Sequence, residues 1–268
     1  MREMILFFGD CHGKFGHVER AVAKFRPQAI ILLGDIEAQQ PLEKELCNVL
    51  GKTEVWFIHG NHDTDNLSSY RHLVETPLAE RNLHGRVVEI AGLRIAGLGG
   101  IFRGDIWRPQ SIDDEQHFAS YEEYQAKAEQ ELHLHDLARR KQSIGKEGAG
   151  GASEIAKLEN KLFKHRSTIF PDVFFGLAAQ AADVLVTHEA PSCHPHGFAV
   201  IDELARCMGV KKAFHAHMHD NLDYSSLWPE IGFEAYGVGL RGAKNLQGKL
   251  IIPGELDDYR ACRQGSVG

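Results

Sequence analysis

The sequence has few of the features that mark secreted, membrane-embedded or strongly basic proteins. Its five cysteines are scattered and form no Cys-x-x-Cys pair, so neither a disulfide framework nor a zinc ribbon is predicted. The apolar run at residues 4–8 is too short for a signal peptide or a membrane span. Basic residues number 30 against 37 acidic ones, a net charge of −7 that provides no global positive field for polyanions. We therefore expect a cytoplasmic protein that does not enter a membrane.

Short apolar runs recur along the chain, and several are separated by helical patterns. Apolar side chains at helical spacing occupy residues 18–25 and 42–50, each between two runs of strand length. This order predicts βαβ units in a layered α/β sandwich, with a hairpin at 87–98 and further antiparallel strands near the C-terminus. The predicted strands are residues 4–8, 29–33, 55–58, 87–90, 93–98, 184–186, 212–214, 233–238 and 249–252.

Residues 103–170 differ in composition from the rest of the chain. Of these 68 residues 23 are charged, and helix-forming residues dominate. Residues 113–136 carry a net charge of −7, residues 137–166 carry +5, and four glycines between 145 and 151 separate the two halves. We expect an inserted antiparallel helical hairpin that pairs these charges. Whether it forms a solvated face, a lid or an oligomer contact stays open at this point.

Side chains that bind metals follow five of the predicted strands. In an open α/β sheet, ligands bind beyond the carboxyl ends of the strands, so these side chains are expected to converge. Nitrogen and oxygen ligands without thiolates suit Mn, Fe, Zn or Ni, and there are enough for two divalent ions that share one carboxylate. In chain order the candidates are Asp10, His12, Asp35, Asn61, His62, Asp63, His188, His215, His217 and His219.

These clusters resemble the signature blocks of the calcineurin-like metallophosphoesterase family, which run in the same order. The resemblance implies a four-layer α/β/β/α sandwich with two mixed β-sheets, formed by residues 1–268 as one domain with the helical insertion at 103–170. It also implies hydrolysis of a phosphomonoester or phosphodiester by a hydroxide that bridges two divalent ions. The implied ligands are Asp10, His12 and His219 for the first ion, Asn61, His188 and His217 for the second, and Asp35 as the bridge.

His62 and Asp63 are the predicted catalytic pair. His62 follows a ligand and is expected to stabilise the phosphoryl group and protonate the leaving oxygen, while Asp63 orients its ring. The block around His217 contains a third histidine, His215, and whether it also contributes stays open. Three arginines near the ends of the insertion are expected either to reach the phosphate or to form surface salt bridges: Arg103, Arg108 and Arg166.

Two alternatives to a general phosphoesterase remain. The segments at 34–38 and 92–102 are similar to the RNA lariat debranching branch of the family, which implies a phosphodiesterase acting on RNA or nucleotides. Some relatives of this fold lose their ligands and serve as non-catalytic scaffolds, although all seven ligand positions are filled here. A small phosphorylated molecule or nucleotide is the expected partner, nucleic acid is the open alternative, and an oligomer formed through the insertion is a further expectation.

Overall fold

The computed structural model describes residues 5–142 and 150–257, within which ten strands form two five-stranded sheets. The first sheet contains β1 (Ile5–Phe8), β2 (Ala29–Leu33), β3 (Glu54–Ile58), β9 (Ala243–Asn245) and β10 (Leu250–Ile252). The second contains β4 (Arg86–Ile90), β5 (Leu93–Leu98), β6 (Val184–Thr187), β7 (Lys212–His215) and β8 (Glu234–Gly237).

Each sheet is mixed, with a parallel set of strands next to antiparallel ones. The first sheet has the order β10-β9-β1-β2-β3, in which β1, β2 and β3 are parallel and β9 is antiparallel to its neighbours. The second has the order β4-β5-β6-β7-β8, in which only β4 is antiparallel to its neighbour. Consecutive parallel strands are joined by crossover segments, several of them helical, as βαβ units require. The helices are α1 (Gly16–Phe25), α2 (Leu42–Glu45), α3 (Leu67–Val74), α4 (Tyr121–Gln142), α5 (Gly150–Lys164), α6 (Pro171–Ala178), α7 (Ala199–Cys207) and α8 (Trp228–Ile231).

The sheets pack face to face and helices cover their outer faces. Strand β1 shows why, because its side chains alternate between two cores: Ile5 and Phe7 face the second sheet, whereas Leu6 and Phe8 face α1. Phe7 stacks on Phe214 of β7 with ring centroids 3.8 Å apart, which joins the two sheets. The outer face of the second sheet packs against α6 and α7. The predicted four-layer α/β/β/α sandwich with two mixed sheets is confirmed.

Two local predictions are wrong. Strand β8, within the predicted run 233–238, pairs with β7 in parallel and not antiparallel, because residues 216–233, which include α8, return the chain to the start of the sheet before β8 begins. The helix predicted over 42–50 ends at Glu45 and continues as hydrogen-bonded turns. Leu46 and Val49 are buried in those turns, so the apolar spacing reflects burial and not a continuous helix. Residue 4 of the first predicted strand lies outside the described residues.

Helices α4 and α5 occupy most of the 103–170 segment. The Tyr121 hydroxyl at the start of α4 donates to the Leu162 carbonyl near the end of α5, 3.5 Å away, so the helices run in opposite directions. Two of the four glycines between their halves, Gly145 and Gly148, lie outside the described residues. Near its base the segment contributes buried aromatic residues, among them Trp107 and Tyr124, to the core under α6. In residues 5–142 and 150–257, no helix is both long and apolar enough to cross a bilayer.

Candidate metal centre

The candidate ligands lie at the carboxyl ends of five parallel strands. Those of the first sheet follow β1, β2 and β3, and those of the second follow β6 and β7. Because the two sheets stack face to face, these ends meet at one edge of the sandwich. Backbone and side-chain hydrogen bonds tie the loops together: the His12 amide donates to the Asp35 carbonyl at 2.9 Å, and the His217 amide donates to the Asp10 carboxylate at 3.1 Å. The second contact joins the two sheets.

Two groups of ligand atoms share one carboxylate. His12, Asp35 and His219 each offer an atom within 4.8 Å of the others. Asp35, His188 and His217 do the same. Asp35 therefore belongs to both clusters of three, and its role as the bridge stays a prediction.

The remaining two predicted ligands lie beside these groups. Asp10 is fully buried, with one carboxylate oxygen 3.7 Å from His219 Nε2 and the other 3.8 Å from His188 Nδ1. The Asn61 amide oxygen is 3.1 Å from His188 Nε2. The structure thus brings all seven predicted ligand residues to one place.

Asp35 provides a test of whether these residues fit a cation. One of its oxygens accepts a hydrogen bond from the His62 amide at 2.8 Å and lies 3.4 Å from His188 Nε2. Its other oxygen, Oδ2, is buried and has no hydrogen-bond partner within the described ranges. A buried carboxylate oxygen without a donor is costly, and a divalent cation is the partner that compensates it. The donor set fits a metal.

The histidine rings are oriented by groups outside the clusters. The Nδ1 atom of His188 lies 2.8 Å from the Leu33 carbonyl, so it carries the proton and Nε2 faces the site. His12 Nδ1 pairs with the Glu37 carboxylate, which leaves its Nε2 atom facing His219 Nε2 at 3.3 Å. Such outer partners fix the tautomer of metal-binding histidines and make the ligating nitrogen more basic.

Burial of opposite charges together perturbs the protonation of the site. Burial raises the pKa of Asp10 to about 7, against the opposing effect of His188. Burial also favours a neutral His188, but Asp35 and Asp10 outweigh it and raise the pKa of His188 to about 10. Asp35 itself has a lowered pKa, because His188 and the His62 amide outweigh its burial.

The backbone at the site is strained. Among the described residues, eight non-glycine residues have positive φ, and five of them lie here with φ between 42° and 65°. This conformation costs roughly 1–2 kcal/mol per residue, and it persists where the surroundings enforce it, as at functional sites. The five are His12, Asp35, Glu37, His217 and His219.

Glycines permit the close approach of these loops. A Cβ atom on Gly34, which has φ +100°, would lie 2.3 Å from His188 Nδ1. A Cβ atom on Gly60 would lie 2.2 Å from an Asp35 oxygen. The loops after β2 and β3 therefore require glycine at residues 34 and 60, because any side chain there would collide with the candidate ligands.

Comparison with known proteins agrees with this geometry. A family profile described as calcineurin-like phosphoesterase matches residues 4–221. The chain belongs to this family. An uncharacterized protein of Haemophilus influenzae is 36% identical over 258 residues, which cover 95% of this chain and 99% of that protein. A solved structure with 13% identity and a TM-score of 0.49 covers 95% of this chain and 99% of its own, a likeness too weak to carry a conclusion.

Membership of the family does not select a branch within it. Nothing in these relatives points to lariat debranching, which stays a prediction. Ala216 stands where the family's last block has glycine, yet the ligand histidines on either side of Met218 still reach the clusters. Among the described residues, these clusters contain His217 and His219 and not His215, whose ring stacks on Tyr224 with centroids 5.7 Å apart.

The structure corrects the catalytic pair. The carboxylate of Asp63 is fully buried and accepts hydrogen bonds from the backbone amides of Gly60 and Glu37, at 2.8 and 2.7 Å, so it holds the loop together. The residue that contacts the His62 ring is Asp65, whose carboxylate is 2.6 Å from Nδ1. The prediction that Asp63 orients this ring is wrong. His62 itself lies at the rim, with its ring 5.6 Å from that of His12.

Two residues that contact candidate site histidines, Asp65 and Glu37, were not predicted from the sequence, although each is marked by a local pattern. Asp65 lies three residues after His62, a spacing that brings side chains together in a helical turn. Glu37 lies two residues after Asp35, where both residues adopt the left-handed conformation. The first signal was readable from the sequence. The second required the fold, because His12, the partner of Glu37, comes from another strand end.

A chain of hydroxyl groups joins the helical insertion to the loop at residues 59–66, between β3 and α3. The Arg103 guanidinium donates to the Ser167 hydroxyl at 3.2 Å. That hydroxyl lies 2.6 Å from the Thr64 hydroxyl, which in turn lies 3.2 Å from the Asn61 carbonyl. Ser167 and Thr64 are fully buried. The base of the insertion is therefore connected to the loop that carries His62.

Proposed function

We propose that this member of the calcineurin-like phosphoesterase family is a hydrolase of phosphoric esters that uses two divalent metal ions. The observation that carries the proposal is the place of Asp35, which is shared by two clusters of ligand atoms and has one buried oxygen without a hydrogen-bond donor among the described residues. A single shared carboxylate between two groups of three ligands is the arrangement that a dinuclear site needs. Mn, Fe, Zn and Ni all suit these nitrogen and oxygen ligands.

The residues of the proposed site form two sets, one for each ion. When bound, two divalent ions acidify a water molecule for attack on phosphorus and neutralise charge on the phosphoryl oxygens. His12, Asp35 and His219 would hold one ion; His188 and His217 would hold the other with Asp35, and Asn61 adds its amide oxygen there. Asp10 anchors the His217 amide and adds a buried carboxylate to the first group.

His62 is the proposed proton donor to the leaving oxygen. Its side chain is 44% exposed at the rim of the centre, so substrate can reach it. Partial burial lowers the pKa of His62, but the hydrogen bond to Asp65 and the nearby carboxylates outweigh that effect and raise it. Because Nδ1 is directed at Asp65, Nε2–H is the remaining donor of the protonated ring and the one proposed to donate to the leaving oxygen.

The non-catalytic scaffold is the weaker alternative. A scaffold does not require five strained left-handed residues or a buried carboxylate oxygen that no described residue satisfies, both of which cost stability. These costs are understandable if the loops bind ions.

A hydrolysis panel with the manganese-loaded protein tests the proposal. The substrates are p-nitrophenyl phosphate, its bis-ester, a cyclic nucleotide and a 2′,5′-linked RNA, each with and without a chelator. We expect chelator-sensitive hydrolysis of at least one ester. Protein that binds no Mn, Fe, Ni or Zn and hydrolyses none of the panel would refute the proposal and favour the scaffold. Preference for the 2′,5′-linked RNA would establish the lariat debranching activity.

A further inference from the structure

A guanidinium group is held between two tyrosine rings beside the proposed catalytic loop, by which we mean residues 59–66, which include His62. The central carbon of the Arg166 guanidinium is 5.6 Å from the ring centroid of Tyr70 and 5.2 Å from that of Tyr121. Tyr70 belongs to α3 and Tyr121 to the start of α4, so two separate elements form the clamp. Aromatic faces attract a guanidinium and restrict its rotation, which lowers the entropy lost when its N–H groups bind a ligand.

Among the described residues, Arg166 has no carboxylate partner, unlike the three basic residues named next. Arg71 pairs with Glu75, Arg94 with Asp183, and Lys161 with Asp105. Arg166 is exposed, forms no ion pair with a carboxylate of the described residues, and none of these carboxylates shifts its pKa. The N–H groups of its guanidinium are thus held in place, and none of the described carboxylates accepts a hydrogen bond from them.

The clamp forms the common wall of two cavities. One, of about 180 Å³, extends towards His84 and Phe170. The other, of about 540 Å³, extends between α3 and α5 past Leu67 and Phe163. Both contain Tyr70, Tyr121 and Arg166 in their linings. A ligand group can therefore approach the guanidinium from either side.

The clamp is connected to the catalytic loop through one buried contact. Ser167, the next residue after Arg166, has its hydroxyl 2.6 Å from that of Thr64. Thr64 ends the short 3₁₀ turn that begins at His62. Tyr70 lies on the helix that follows this turn. The clamp and the loop that carries His62 are therefore neighbours through the contact between Thr64 and Ser167.

We propose that Arg166, clamped by Tyr70 and Tyr121, binds a second phosphate group of a compact substrate whose scissile phosphate lies at the metal centre. The inference rests on the proposed function and narrows its substrate class to small molecules with two phosphoryl groups. A planar guanidinium matches the oxygens of a phosphate in a bidentate manner.

The charges around the clamp favour a compact substrate over a long nucleic acid. Four carboxylates line the two cavities and would repel every further phosphate that a polyanion places past Arg166. A molecule whose last phosphate is bound by the Arg166 guanidinium brings only one anionic group there, so the repulsion it meets is smaller. The four are Glu122 and Asp172 in the smaller cavity and Glu75 and Glu159 in the larger.

The experiment compares matched substrates and matched variants of the manganese-loaded full chain. The substrates are alkanediyl bisphosphates of increasing length, each with the alkyl monophosphate of the same length, and the measured quantity is the ratio of their kcat/KM values. We expect the ratio to pass through a maximum of about tenfold or more at one length, the effect of a charged hydrogen bond. Arg166→Gln should reduce this maximum to nearly one, and Arg166→Lys should restore part of it.

Arg71→Gln is the control variant, because Arg71 lines the larger cavity but is paired with Glu75. It removes the same charge and should leave the ratio unchanged. Calorimetric binding of a non-hydrolysable alkanediyl bisphosphonate gives a readout that does not need turnover, and Arg166→Gln should weaken it about tenfold. A ratio near one at every length in the wild type, or an equal loss in Arg71→Gln and Arg166→Gln, would overturn the inference.

The outcomes separate this inference from the function on which it rests. If the wild type hydrolyses no phosphate ester, the proposed function fails, and the bisphosphonate titration still decides whether Arg166 binds a phosphate. If it hydrolyses monophosphates and bisphosphates equally, the function stands and the Arg166 site fails. A single-stranded oligonucleotide preferred over every bisphosphate would contradict the compact substrate.

Discussion

The strand-end loops and the helical insertion differ in length, in burial and in how they are held to the rest of the molecule. The loops are short and largely buried, five of their residues have strained backbones, and hydrogen bonds tie them to one another across both sheets. The insertion is long and its helices carry many exposed polar residues; buried hydroxyls at its base connect it to the body. The candidate ligands thus all belong to loops of the sandwich. We expect the insertion to act on the choice of substrate, which is where related enzymes on one fold differ.

Replacement of the shared carboxylate should have the largest effect. Asp35→Asn keeps the volume but removes the negative charge from both ligand clusters, so the protein should lose bound metal and its hydrolysis rate should fall roughly a thousandfold. Elemental analysis and a p-nitrophenyl phosphate assay measure the two quantities. Asp183→Asn, at a surface ion pair with Arg94, is the control and should change neither. Full activity in Asp35→Asn would contradict the bridging role.

Removal of the rim histidine should reduce turnover without affecting the ions. His62 is not in either cluster of ligand atoms, so His62→Ala should retain the metal content of the wild type. Loss of a general acid costs roughly 10²–10⁴ in kcat. If His62→Ala loses both ions, the residue belongs to the metal site and its assignment as a proton donor is wrong.

The pH dependence of kcat should distinguish the role of Asp65 from that of Asp63. His62 must be protonated to act as an acid, so kcat falls as the pH rises through its pKa. Asp65 raises that pKa, and Asp65→Asn should therefore shift the alkaline limb of the kcat profile to lower pH. Asp63→Asn should instead lower stability and activity together, because Asp63 accepts two backbone amides of the ligand loops. An unshifted limb in Asp65→Asn would show that His62 does not limit the profile.

The smallest of these effects is expected where the insertion meets the loops. Ser167→Ala removes a buried hydroxyl between Arg103 and Thr64, and should lower the free energy of unfolding by about 1–3 kcal/mol. Urea denaturation measures this loss. Ser68→Ala, on the exposed face of α3, is the control and should change the stability by less than about 0.5 kcal/mol. Equal stability of the two variants would mean that the hydroxyl chain does not hold the insertion.

The same contrast between loops and insertion explains what was predictable from the sequence. Asp10, Asp35 and His188 follow short buried strands, and the rule that parallel strand ends meet at one edge is enough to place them together from sequence alone. No such rule predicts that Arg166 lies between Tyr70 and Tyr121, because that contact depends on how α3 and α4 pack.

The errors have the same physical origin. The predicted direction of β8 is wrong because apolar alternation specifies a strand but not its neighbour. Asp63 directly follows His62 in the sequence, yet adjacent side chains in a helical turn diverge, whereas those three residues apart approach one another. In both cases the order of residues along the chain does not determine which groups meet in space.

Calorimetric titration of the metal-free protein with Mn²⁺ measures how many ions the chain binds and whether they share Asp35. The wild type should bind two ions per chain, and Asp35→Asn should weaken both binding events, because the same carboxylate belongs to both clusters. Absence of binding by the wild type, or an Asp35→Asn variant that retains one ion with unchanged affinity, would contradict the shared site.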